Sequence, residues 1–135
     1  MGRTKDTIRG LVCAAMGVED RGAVHPDKKR HKDWAKKSKA WLKKHNRCEL
    51  CDSKLGAEDT ELEVHHAFPY HLYPEKEMDE QHWHALCRKP HDCHRLFGHL
   101  GDFSLFNPVL SEFISVHQKL KRLAKTMLSK ARIDK

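Results

Sequence analysis

The chain has 135 residues, 33% of them charged, and a net charge of +7, which suits one domain with a modest core and leaves too little chain for two. No apolar run approaches the roughly 20 residues of a membrane helix, and the opening MGRTKDTIRG lacks the apolar segment of a secretory signal, so the expectation is a soluble, intracellular (cytoplasmic) protein. The charge is divided into +9 over residues 1–47, −7 over 48–105 and +5 over 106–135. Two basic arms therefore flank an acidic, histidine-rich middle. Basic surface attracts polyanions by counterion release, and the acidic middle can hold cations; a lysine run is equally the solvated face of a helix, so charge alone does not select a nucleic-acid partner.

In chain order, TKDTIRGLVCAAMG reads as a short helix that Thr or Asp can cap and Gly17 can end. Cys13 lies inside its apolar pattern and reads as a small buried hydrophobe. HPDKKRHKDWAKKSKAWLKKHNR predicts a second helix with Pro26 in its first turn. Trp34, Ser38, Trp41 and Leu42 share its core face, and the lysines cover the opposite one. LEVHH reads as the end of a strand, where His65 and His66 point to opposite sides. Residues 48–105 are otherwise poor in helical pattern and rich in Cys, His, Gly and Pro, as a metal-organised region is. After Asn107-Pro108, VLSEFISVHQKLKRLAKTMLSKAR predicts the most regular helix, with Leu110, Phe113, Ile114, Leu120, Leu123, Met127 and Leu128 on a broad apolar face. The expected organisation is a basic helical arm (1–47), a metal-bearing core (48–108) and a basic amphipathic helix (109–135), all one compact domain.

Five cysteines in an intracellular chain do not suggest a disulfide framework. CELC and LCRKPHDC instead offer two corners of a tetrahedral zinc site, Cys48 with Cys51 and Cys87 with Cys93. The second corner is wider than usual, so His91 competes with Cys93 as fourth ligand, and Cys93 is preferred. Zinc there would tie a loop too poor in apolar residues to fold alone.

Between and after these corners lie VHH at 64–66, DEQHWHALC at 79–87 and CHRLFGH at 93–99. The order CxxC, HH, a polar residue five before LC, then CH and GH resembles the HNH endonucleases of the ββα-metal group, in particular zinc-stapled phage and bacterial members. The likeness covers residues 48 to about 108. It implies an α+β fold with a ββα-metal (His-Me finger) core, a four-cysteine zinc site, flanking N- and C-terminal helices, and metal-dependent nicking or cleavage of double-stranded DNA. By position, His65 would bind a divalent cation (Mg²⁺, Mn²⁺, Ni²⁺ or Zn²⁺) and His66 would be the general base. His94 would be a second metal ligand, and His99 would either complete the coordination or hydrogen-bond a carbonyl at a helix end.

The sequence departs from the family at the middle motif position, normally Asn. Counting back five from Cys87 gives His82, in a supporting catalytic role, or His84 if the spacing slips. Lys36, Lys37, Lys43, Lys44 and Arg95 are the expected phosphate contacts; His45, His71 and His91 read as surface residues or as partners of the ligands. Two other readings stay open: a zinc-stabilised DNA-binding module with a degenerate nuclease site, and a histidine-rich zinc store, which explains the number of histidines but not their order. The oligomeric state is not legible, and a monomer is compatible with the sequence.

Overall fold

The computed structural model describes Leu11, residues 29–103 and residues 105–133; apart from Leu11, the expected first helix, Cys13 included, falls outside this set. The described chain is a mixed α/β fold. It runs through α1 (Trp34–Lys44), β1 (Glu61–His66), β2 (Trp83–Lys89), a short π-helical segment (His94–Gly98) and α2 (Leu110–Ile133). The two strands form one antiparallel sheet in which Val64 pairs with Ala85, His65 with His84 and His66 with Trp83.

The core falls into separate clusters along the sheet. Val64, Trp83 and Ala85 pack with Trp34, Trp41 and Leu42 of α1. Leu62, Leu86 and Cys87 pack with Cys48, Leu50 and Cys93 and with Leu110 and Ile114 of α2. Trp41 and Trp83 meet edge to face with centroids 5.7 Å apart, a geometry that places the positive ring edge on the negative face. The tryptophan stripe is therefore core, as its spacing predicts.

Two helix expectations need correction. Pro26 lies outside the described residues, and α1 begins only at Trp34, because the chain before it is held by side chains: the backbone N–H of His31 donates to Glu77 Oε2 at 2.9 Å. On α2, only Leu110 and Ile114 of the apolar face are buried, while Phe113, Leu120, Leu123, Met127 and Leu128 are exposed. Amphipathic periodicity identifies a face but not what covers it.

The loop from Ala67 to His82 is closed at its foot by the Ala67 N–H donating to the His82 carbonyl at 2.8 Å. Inside it Leu72, Tyr73 and Phe106 form a small cluster with Phe68. No helix among the described residues is long and apolar enough to cross a membrane.

Candidate functional site

Four thiols and three imidazoles form two clusters that could hold metal ions. The Sγ atoms of Cys48, Cys51, Cys87 and Cys93 lie within 4.8 Å of one another. Cys51 and Cys87 are 3.6 Å apart, close to the tetrahedron edge of about 3.8 Å that follows from Zn–S bonds of about 2.3 Å. The first corner is a tight knuckle: Asp52 N–H donates to the Cys48 carbonyl and Cys48 N–H to the Ser53 carbonyl, both at 2.9 Å. Asp52 (φ 67) and Asp92 (φ 54) adopt the left-handed conformation beside Cys51 and Cys93, which Asp tolerates better than most residues. Burial raises the Cys48 and Cys93 thiols. Burial also acts to raise Cys51, but hydrogen bonds from Ser53 and the His91 ring outweigh it and bring that thiol down to about 6. Cys93 is thus in the cluster, and His91 stands behind Cys51.

The second cluster joins His65 of β1 to His94 and His99 at the two ends of the π-helical segment, their ligand nitrogens within 4.8 Å. Their five-residue spacing is too wide for an α-helix, but the π pitch, with i→i+5 bonding, brings both rings to one side. Such segments recur at functional sites. Gly98 lets the segment lie against the His65 ring, since a Cβ there would stand 2.8 Å from Nδ1.

The ring partners fix the tautomers. His94 Nδ1 is 2.6 Å from Glu63 Oε2, and this hydrogen bond holds the Glu63 carboxyl below its ordinary range, so the imidazole donates to a carboxylate. His99 Nδ1 donates to the Leu105 carbonyl at 2.7 Å. With both rings neutral the two Nε2 atoms would carry the lone pairs, and they face each other at 3.2 Å. Opposed lone pairs repel unless a cation lies between them. Two nitrogens bound to one ion at about 2.1 Å would sit about 3.0–3.4 Å apart. His65 is 1% exposed and neither of its ring nitrogens has a hydrogen-bond partner, a costly arrangement without a ligand. Burial, reinforced by the neighbouring histidines, pushes its pKa well down, and burial brings His99 to about 4. Both shifts favour the neutral form of His65 and His99, the form that binds a metal. One His99 nitrogen bonds a carbonyl and the other faces the cluster, so the geometry is compatible with either reading of this residue.

His66 lies beside this cluster. Its Nε2 donates to the Glu77 carbonyl at 3.0 Å, which also accepts from Trp83 Nε1 at 2.9 Å, leaving the lone pair on Nδ1. Burial lowers its pKa to about 4 despite the carbonyl. A cavity of about 200 Å³ is lined by His66, His94, His99, Arg30, Tyr70 and His71, among others.

His82 is not among the residues lining this cavity. It packs edge-on against Phe68 at 4.7 Å with Nε2 3.5 Å from Asp79 Oδ2, at the foot of the 67–82 loop. His84 is engaged on both nitrogens, by Glu49 Oε2 and Ser111 Oγ, each at 2.9 Å. Lys36, Lys37, Lys43 and Lys44 are exposed on α1. Arg95 is largely spent on Asp92 Oδ2 at 2.6 Å and the Gly101 carbonyl at 3.0 Å, so its reach toward a phosphate is limited. His45 stacks on Trp41 at 3.9 Å.

Two residues near the cluster escape sequence reasoning. Glu63 had a signal, since it lies two before His65 on the same strand face. Arg30 had none: its guanidinium lies 4.6 Å from the ring centroid of nearby Trp34 but also 4.0 Å from that of Tyr70, a partner remote in sequence. Compared with protein-family models, curated proteins and solved structures, the chain matches none.

Proposed function

We propose that this chain is a metal-dependent endonuclease of the HNH, ββα-metal kind that nicks or cleaves double-stranded DNA. The observation that carries the reading is the cluster of His65, His94 and His99 ligand nitrogens within 4.8 Å of one another, with the His94 and His99 Nε2 atoms 3.2 Å apart, beside the unpartnered His65 ring and sharing a cavity with His66. The order of two strands and a helical segment bearing these histidines supports it. Cys48, Cys51, Cys87 and Cys93 would hold a structural zinc, and His65, His94 and His99 a divalent cation. Such a cation, whether Mg²⁺, Mn²⁺, Ni²⁺ or Zn²⁺, supplies positive charge against that developing on the phosphate and the leaving oxygen.

The side chains divide the remaining work. His66 Nδ1 takes the proton of a water as its oxygen attacks phosphorus and the opposite P–O bond breaks. The Glu77 carbonyl keeps that nitrogen unprotonated, and an anionic phosphate in the cavity raises the imidazole's basicity from its low resting value. Arg30, held between Trp34 and Tyr70, neutralises phosphate charge at the rim, and the α1 lysines bind phosphates further along the duplex.

The placement of His82 against Phe68 and Asp79, where the family keeps an amide, favours a second reading: a zinc-stabilised DNA-binding module without activity. Relaxation of supercoiled plasmid with each of the four ions separates them. The His66→Ala variant should cut about 10²–10⁴-fold more slowly while binding DNA as the parent does. Cleavage undiminished by that change overturns the base assignment, and a parent that binds but never cuts establishes the binding module.

A further inference from the structure

Helix α2 leaves the body of the protein after two turns. Leu110 and Ile114 are buried, His117 Nε2 donates to the Leu50 carbonyl at 2.8 Å, and every residue from Lys119 to Arg132 is exposed. Along this arm Phe113, Val116, Leu120, Leu123 and Met127 are between 43% and 62% exposed. Their spacing alternates three and four, the 3.5-residue period of a coiled-coil seam, and the seam closes at Lys130, the next position in the period. At its other end the stripe continues onto Phe97, which stacks on Phe113 with centroids 5.8 Å apart. A helical arm of this length is marginal in water by itself, and an apolar stripe of this kind requires a cover.

The charges indicate what covers it. Lys121, Arg122, Lys125 and Arg132 lie away from the seam, so the basic face points outward. The positions flanking the seam are Glu112, His117, Lys119, Ala124, Thr126 and Ala131. In parallel, in-register pairing of two such helices, Glu112 meets His117, Lys119 meets Ala124 and Thr126 meets Ala131, with no like-charge contact among them. An acidic partner helix would be selected by lysines at several flanking positions, and here there is one. We propose that the exposed stripe of α2 joins two copies of this chain in a parallel coiled coil. The inference does not depend on the nuclease reading; a consequence is that one particle carries two clefts with their basic faces outward.

Sedimentation equilibrium of the full chain over a concentration series tests it. The expected mass is twice the 15.7 kDa of one chain. The Leu120→Glu/Leu123→Glu double variant should fall to half that mass while keeping the parent's metal content and near-ultraviolet circular dichroism, since neither residue touches the core. Leu120→Ile should remain dimeric. Air oxidation of Leu123→Cys should give a reducible cross-linked dimer beyond the parent's background. A parent that stays monomeric at every concentration overturns the proposal, whether another segment or another protein covers the stripe, and so does a dimer that survives the double glutamate change. A dimer in which Leu123→Cys never cross-links overturns the parallel orientation.

Discussion

Glu63 shows how much a single side chain can control at this site. Its carboxylate orients the His94 ring and keeps the proton on Nδ1, and carboxylates in this relation raise the basicity of the other nitrogen. Glu63→Gln keeps the shape but removes the charge, and metal titration followed by calorimetry should show affinity at the histidine cluster falling about 10–100-fold. An unchanged affinity would mean that the Glu63 charge does not tune the cluster through His94. His82 makes the opposite kind of case. Its side chain closes a loop against Phe68 and Asp79 and stands apart from the cavity, so its replacement acts through loop position. His82→Asn supplies an acceptor and two donors in a shorter side chain. Plasmid cleavage by His82→Asn should equal or exceed the parent's, and a deep loss of cleavage in a folded His82→Asn protein would assign the imidazole a role of its own.

At the scale of elements, the four-thiol cluster joins the knuckle at Cys48–Ser53 to the end of β2 and the start of the π-helical segment. Glu49 also ties the knuckle to β2 through Ala85 and His84, but the cluster brings in the start of the π-helical segment as well. The core packed around it consists of a few residues, including Leu50, Leu62, Leu86 and Leu110, and two of the thiols are held up by burial. A metal that binds them as thiolates couples its affinity to folding, with structural zinc sites reaching on the order of 10 kcal/mol of apparent binding free energy. Cys48→Ser or Cys87→Ser should therefore abolish the cooperative thermal transition seen by tryptophan fluorescence. A sharp transition retained after complete metal removal from the parent would show that apolar packing suffices.

Across the described residues of the molecule, the charge division becomes a surface. The lysines of α1 and the basic residues of α2 are exposed, while the acidic middle keeps several carboxylates in local pairs such as Glu63 with His94 and Arg88. DNA affinity should fall linearly in log–log form with salt, with a slope of about −0.9 per phosphate contacted. Reversing Lys36, Lys37, Lys43 and Lys44 to Glu should weaken binding for every sequence alike and flatten that slope, as read by fluorescence anisotropy. Affinity indifferent to salt would remove the electrostatic account.

The local pattern was enough to locate the cysteine corners, the tryptophan face of α1, the long helix and the histidines to be weighed. Each depends on spacing along one element or one turn, where periodicity and ligand geometry act over a few residues. That Cys93 rather than His91 lies with the other three thiols was decided only by the fold, where Asp92 turns the chain back before Cys93. The sequence also left His99 open between two roles, and the π pitch allowed both. Arg30 and Glu77 come to His66 from separate segments, so no spacing announces them. The same limit applied to α2: its periodicity marked an apolar face, but burial ended at Ile114, because covering a face requires a neighbour that periodicity does not name.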